Sequence, residues 1–199
     1  MSTWIESIDN GITIAIAYGM LLLIPSFLGT VLLKGEKFNI VKYILNVSFF
    51  GYMCCVFALV FLPLPTAGTK LDGYSLQLIP GYAIYDIAKN PSARSVAQVL
   101  FNILMTIPFG AYLKYCHRMD MKKIVLLSFC LTLFIEAGQL TGLFFIYSGS
   151  YRVCDVDDLI CNTLGGFLGA WAVAKCKFLP DVEKFECRLR TRFRPAHNL

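Results

Sequence analysis

Charged residues are scarce in this 199-residue chain. They make up 16% of the sequence, whereas hydrophobic residues make up 57%. The hydrophobic residues come in runs of about 20, long enough to cross the roughly 30 Å hydrocarbon core of a bilayer, and not at the shorter periods of an amphipathic helix or strand. Since a soluble globular domain has no place for several such runs, the composition predicts an integral membrane protein.

Cysteine patterns typical of metal sites or disulfide frameworks are also missing. The eight cysteines include no CxxC pair, and most of them fall in apolar runs, where free Cys acts as a small hydrophobic residue. Cys116 and His117 are adjacent, but no second Cys/His pair stands at ligand spacing. We therefore expect no cofactor.

Five apolar segments are long enough, or nearly so, to span a membrane. We predict helices at residues 11–33, 43–62, 96–115, 124–147 and 159–178. The first ten residues contain Glu6 and Asp9 but no Lys or Arg, so they lack the basic start of a secretory signal peptide and the first segment is expected to be retained. The predicted fold is all-α, a polytopic membrane bundle of about five transmembrane helices.

The basic residues between the apolar segments predict how the bundle is oriented. Lys and Arg concentrate after the first, third and fifth segments, whereas the N-terminal residues and the other connections are acidic or mixed. This distribution predicts the N-terminus outside and the C-terminus inside. The basic tail, residues 179–199, then faces the anionic inner leaflet, and no nucleic-acid partner is expected. The apolar connection 64–95 is predicted to lie along the outer membrane interface.

Polar residues recur at helical spacing on the last three predicted helices. Glu136 lies about midway along the fourth segment, where a lipid-facing charge costs roughly 2.5–3.5 kcal/mol, so it should face protein or water. We predict that the polar faces meet near the outer surface as one binding cluster. Its members are Asn102, Glu136, Gln139, Arg152, Asp155, Asp158 and Asn162.

Two further patterns flank this cluster. Gly165 and Gly169 are four residues apart, as in helices that pack closely in membranes, and we assign them to helix packing. Asp155, Asp157 and Asp158 stand at the start of the fifth predicted helix, where one carboxylate would suffice as a cap. Oxygen ligands suit hard divalent cations, so these three aspartates are weak candidates for a metal site, although none is assigned.

Four sequence blocks resemble the VanZ-like family of integral membrane proteins. They are "SLQLIP" at 75–80, "NILMTIPFG" at 102–110, "FIEAGQ" at 134–139 and "RVCDVDDLICNTLGG" at 152–166. The resemblance covers roughly residues 75–174, with Cys154 and Gly81 standing where that family often has aromatic residues. It implies a VanZ-like domain with an interfacial segment and three transmembrane helices in 71–178. The sparse polar groups of the first two spans predict two framework helices in 1–70, and the Lys and Arg residues at the end predict a basic cytoplasmic tail in 179–199.

The resemblance implies a multi-pass cell-membrane protein associated with reduced susceptibility to glycopeptide antibiotics, teicoplanin especially, but it supplies no reaction. Three hypotheses remain open. The chain could bind or shield a polar lipid, a lipid-linked cell-wall intermediate or the drug at the outer face. It could be an intramembrane enzyme that uses carboxylate acid/base or metal-assisted chemistry on a lipid-linked substrate. It could form a small cation or proton pathway. The sequence leaves the oligomeric state undetermined.

Overall fold

The computed structural model describes residues 40–62, 64–65, 73–150, 152–176 and 178–179, and this part of the chain is mostly helical. Its helices are α1 (Ile40–Phe61), α2 (Tyr82–Lys89), α3 (Ala93–His117), α4 (Met121–Leu140), α5 (Gly142–Phe145) and α6 (Val156–Lys175). Residues from Val60 to Lys175 form one compact unit. The predicted first span and the basic tail beyond residue 179 lie outside the described residues.

Three of the described helices are long and apolar enough to cross a membrane, namely α1 from Val41 onward, α3 and α4. The fifth predicted span corresponds to α6, which has the same length as α4. However, α6 has Asp157 and Asp158 in its first turn and Lys175 in its last turn, and it is not among these three helices. The predicted total of five spans therefore stays a prediction.

The fourth helix ends earlier than its predicted end at residue 147. α4 stops at Leu140, and the Thr141 hydroxyl donates to the Ala137 carbonyl at 2.6 Å. Gly142 follows with φ of 61°, the left-handed region that favours glycine. A Cβ atom at Gly142 would also crowd the carbonyls of Tyr147 and Gly149. The turn therefore depends on a glycine that the apolar run around it conceals.

α6 begins three residues before residue 159, where the fifth span was predicted to start. α6 starts at Val156 because the Asp155 carboxylate accepts the Asp157 N–H at 2.9 Å and so caps the helix. Just before the helix, β2 (Cys154–Asp155) pairs in parallel with β1 (Leu76–Gln77). This two-residue pairing is an addition to the predicted all-α fold, and it joins the connection before α2 to the start of α6.

α3 and α6 pack at close range through glycines. A Cβ atom built at Gly165 would overlap the carbonyl of Ile103, and one at Gly169 would overlap that of Ile107. Gly110 of α3 likewise lies against the Gly166 carbonyl of α6. Because small residues let helix backbones approach each other in a membrane, larger side chains here would force α3 and α6 apart.

An apolar cluster closes the end of α3, α4 and α6 that lies near the α3–α4 connection. Its buried members are Leu113, Ile124 and Ala170, and the side chains of Phe109, Tyr112, Met119 and Met121 pack around them. Ile124 and Ala170 have no exposed surface. We call this group the Ile124 cluster.

Candidate functional site

Four of the predicted site residues come together at the opposite end of α3, α4 and α6 from the Ile124 cluster. They are Asn102, Glu136, Asp158 and Asn162, and we call them the Asp158 cluster. Asn102 lies on α3, Glu136 on α4 and the other two on α6. Helical spacing had placed each of them on a polar face, and in the structure the three faces point at one another.

Glu136 is the most enclosed acid of the Asp158 cluster, with 2% of its surface exposed. Its Oε2 atom accepts the Asp155 backbone N–H at 3.1 Å, and the Cys154 thiol also hydrogen-bonds to the carboxyl group. Burial, followed by the charge of Glu136, raises the pKa of Cys154 to about 11, so the thiol keeps its proton at neutral pH. β2 thus supplies Glu136 with a backbone donor and a side-chain donor.

Asp158 connects α6 to α3. Its Oδ1 atom accepts the Asn102 side-chain N–H, and the Gln98 side chain also hydrogen-bonds to the carboxyl group. Burial, with the charges of Asp155 and Asp157, raises the pKa of Asp158 to about 6 despite these donors. The carboxylates of Glu136 and Asp158 also repel each other, which leaves two neighbouring acids in a largely desolvated place.

The three aspartates that open α6 have three different partners. Asp155 caps α6, as described above, whereas Asp157 accepts the backbone N–H groups of Gly81 at 2.6 Å and Ala83 at 2.7 Å. These two donors are at the start of α2, so the Asp157 carboxylate satisfies amides that the helix itself leaves without partners. The described residues contain no group of three His, Cys, Asp or Glu side chains that could hold a metal ion.

A buried polar seam continues from the Asp158 cluster toward the Ile124 cluster. The Thr106 hydroxyl donates to the Asn162 carbonyl at 2.6 Å, and Asn162 Nδ2 donates to Thr132 Oγ1 at 3.0 Å. Asn162 is 2% exposed and the two threonines are fully buried. Among the described residues, the Oδ1 atom of Asn162 in this seam has no hydrogen-bond partner. Unsatisfied buried polar atoms are costly, so the seam is not optimised for packing alone.

Gln139 and Arg152 point toward the end of α1. Gln139 Nε2 donates to the Val60 carbonyl and the Arg152 guanidinium donates to the Leu62 carbonyl, each at 2.8 Å. Carbonyls at the end of a helix have no partner within it, so these side chains complete the last turn of α1. Arg152, which was predicted to belong to the binding cluster, therefore donates to a backbone carbonyl.

Two contacts of the Asp158 cluster were not among the predicted site residues. Gln98 shares the four-residue spacing of Asn102 and Thr106 along α3, and this spacing could have identified it. Cys154 gave no comparable signal, because a single cysteine without a second ligand at metal or disulfide spacing is typical of a small buried residue. Its contact with Glu136 depends on the β1–β2 pairing, which no local pattern reveals.

These features define a class of protein: a helical membrane protein with three apolar helices long enough to span a bilayer and a polar, acidic cluster between helices. The VanZ/LLP1 family model matches residues 49–177, well over half of the chain. The chain belongs to the VanZ/LLP1 family, and the resemblance seen in the sequence is confirmed. No curated protein and no solved structure gives a significant match.

Proposed function

We propose that this chain is a multi-pass protein of the cell membrane that binds a polar lipid headgroup or a glycopeptide at the outer face. By binding there it lowers susceptibility to glycopeptide antibiotics such as teicoplanin. The observation that carries the proposal is the Asp158 cluster, in which the buried Glu136 and the half-buried Asp158 are near enough for their charges to interact at one end of the helices. Buried acids within a membrane protein are costly and mark sites of function.

The proposal includes five spans with the N-terminus outside and the C-terminus inside. The excess of Lys and Arg after the first, third and fifth apolar segments supports this orientation. On this topology the Asp158 cluster is at the outer side and the Ile124 cluster is at the inner side. The chain then divides into two framework helices in 1–70, a VanZ-like domain in 71–178 and a basic inner tail in 179–199.

The segment before α3 supports a site at the outer membrane interface. Leu78, Ile79 and Ile84 have 65–70% of their surface exposed, and exposed apolar side chains of this kind suit the boundary between headgroups and acyl chains. β1 and the start of α2 are joined to the Asp158 cluster through β2 and Asp157. A headgroup at the interface would therefore lie close to Glu136 and Asp158.

The test is drug susceptibility of a glycopeptide-sensitive strain that expresses the protein. We expect the wild-type chain to raise the inhibitory concentration of teicoplanin and Asp158→Asn to abolish that increase. Asp120→Asn is the matched control, because Asp120 is exposed and its side chain caps no helix. Membrane levels of all three proteins are compared by immunoblot. Equal protection by wild type and Asp158→Asn at equal levels would contradict the proposal.

An enzyme acting on a lipid-linked cell-wall substrate is the second candidate. The paired carboxylates favour it, because two acids in different environments can divide the roles of general acid and general base. Purified protein incubated with lipid-linked cell-wall intermediates should then change them in a Glu136-dependent way, as followed by mass spectrometry. A cation or proton pathway has less support, because the polar seam leads to the apolar Ile124 cluster.

A further inference from the structure

We propose that the Asp158 cluster recognises a primary ammonium group, which the carboxylates of Glu136 and Asp158 hold between them. This inference rests on the proposed function and names the chemical class of its ligand. The ammonium could belong to a lipid headgroup such as phosphatidylethanolamine or to an amine of the glycopeptide itself.

The negative charge of the site favours a cationic ligand. Glu136 lies close enough to Asp158 and Asp155 for the three carboxyl groups to repel one another. Among the described residues, the donors that reach these carboxyl groups are neutral: the Asn102 and Gln98 amides, the Cys154 thiol and backbone N–H groups. Arg152, the predicted cation of the site, donates instead to the Leu62 carbonyl. Because buried like charges need a counter-charge or a proton, a cationic ligand would relieve this repulsion.

A buried acceptor inside the bundle favours a ligand that donates hydrogen bonds. Asn162 follows Asp158 by one helical turn, and its Nδ2 donates to Thr132, which precedes Glu136 by one turn. The Oδ1 atom of the same amide has no hydrogen-bond partner among the described residues, although only 2% of the Asn162 surface is exposed. A buried acceptor of this kind needs a donor from water or from a ligand.

The number of acceptors matches an ammonium group. A primary ammonium has three N–H donors and no acceptor, and the site offers two carboxylates with Asn162 Oδ1 one turn below them. A quaternary ammonium has no N–H to donate, and an anionic headgroup would add to the repulsion between Glu136 and Asp158. The arrangement therefore predicts selectivity for a primary amine over a trimethylated amine of the same charge.

The experiment measures lipid binding to the purified full chain in detergent, by native mass spectrometry. The probes are short-chain phosphatidylethanolamine, phosphatidylcholine and phosphatidylglycerol with identical acyl chains. We expect phosphatidylethanolamine to bind at least about tenfold more tightly than either of the others. Asp158→Asn and Glu136→Gln should each remove this preference, whereas Asp120→Asn should keep it. Circular dichroism verifies that each variant is folded, and the comparison among lipids on the wild type needs no variant.

A second arm distinguishes the two sources of the amine. Teicoplanin with free amino groups is compared with the same drug after acetylation of those groups. Binding of the free amine form alone, without preference among the lipids, supports the inference and assigns the ammonium to the antibiotic. A preference for phosphatidylethanolamine assigns it to lipid.

The inference and the proposed function can fail separately. If the three lipids bind equally well and acetylation does not weaken binding of the drug, the ammonium inference is overturned and outer-face binding remains. The same conclusion follows if binding is lost in Arg152→Ala but kept in Asp158→Asn and Glu136→Gln. If neither any lipid nor the drug binds the wild-type chain, both the inference and the proposed function are overturned.

Discussion

The two ends of the α3–α4–α6 bundle use the same helices for different purposes. At one end Ile124 and Ala170 are fully buried among mainly apolar neighbours. At the other end Glu136 and Asn162 are similarly enclosed, and they bring a carboxyl group and an amide oxygen that is unpartnered among the described residues, next to the half-buried Asp158. The first end stabilises the bundle, whereas the second costs stability and therefore needs another reason to exist.

The glycine contacts between α3 and α6 make this contrast possible. Gly165 and Gly169 of α6 lie against the carbonyls of Ile103 and Ile107 of α3, so the two backbones pack closely between the polar and the apolar end. The same close approach leaves Thr106 within reach of the Asn162 carbonyl.

The largest effect is expected at the apolar end. Ile124→Ala should lower the free energy of unfolding by about 2–5 kcal/mol, because it leaves a cavity in a fully enclosed position. Leu126→Ala is the matched control on the same helix, since Leu126 is 60% exposed. Thermal and denaturant unfolding in detergent, followed by circular dichroism, measure both. Similar losses in the two variants would refute the assignment of Ile124 to the core.

The burial of Asp158 at the polar end should make the free energy of unfolding depend on pH. Because the pKa of Asp158 rises from 3.8 to about 6 on folding, the folded protein holds this proton more tightly. The contribution of protonated Asp158 to the free energy of unfolding is complete below about pH 4. It is lost as pH rises toward 6, by up to about 3 kcal/mol. The groups around Asp158 are Asp155, Asp157, Glu136 and Cys161, with Asn102 and Gln98 as donors.

The control for this pH dependence is Asp158→Asn, which cannot titrate at that position. Melting temperature measured between pH 4 and pH 7 should fall less steeply in the variant than in the wild type. The pKa of Asp155 is also raised by burial, so a smaller slope of the same sign should remain. Identical slopes in the two proteins would show that another group is responsible.

The next largest loss of stability is expected at the contact between α3 and α6. Gly169→Ala should destabilise the protein by about 1–3 kcal/mol, because the new methyl group would overlap the Ile107 backbone carbonyl. Gly51→Ala is the control, since a Cβ atom there meets no atom of the described residues within 4 Å. Unfolding measurements that rank the two substitutions equally would contradict the close α3–α6 contact.

The smallest effect is expected where α2 meets α6. Asp157→Asn should cost about 1.5 kcal/mol, because Asn keeps one acceptor of the two that bind Gly81 and Ala83. Hydrogen exchange of these two amides should accelerate in the variant, whereas amides in the middle of α4 should be unaffected. Unchanged protection at Gly81 and Ala83 would exclude Asp157 as their partner.

The sequence predicts local features of this fold better than distant pairings. Apolar runs and basic connections indicate a helical membrane protein, and the matched family confirms that class. Helical spacing is also enough to place Asn102, Asp158 and Asn162 on polar faces, because the period of an α-helix is fixed. Their role as a binding site stays a prediction.

What the sequence does not reveal depends on contacts between distant segments. Asp157 binds amides more than 70 residues away, and Arg152 binds a carbonyl 90 residues away. Both partners are backbone atoms, which every residue has, so no side-chain pattern singles them out. The early end of α4 has a similar origin, since the left-handed turn at Gly142 is hidden inside an apolar run.

The most direct test measures phosphatidylethanolamine affinity and melting temperature in the same preparations of Asp158→Asn and Ile124→Val. We predict that Asp158→Asn weakens binding at least about tenfold without lowering the melting temperature at pH 7. Ile124→Val should lower the melting temperature, at a cost of about 0.5–1.5 kcal/mol, and leave binding unchanged. If Asp158→Asn instead lowered the melting temperature and left binding intact, the Asp158 cluster would stabilise the fold and would not be the binding site.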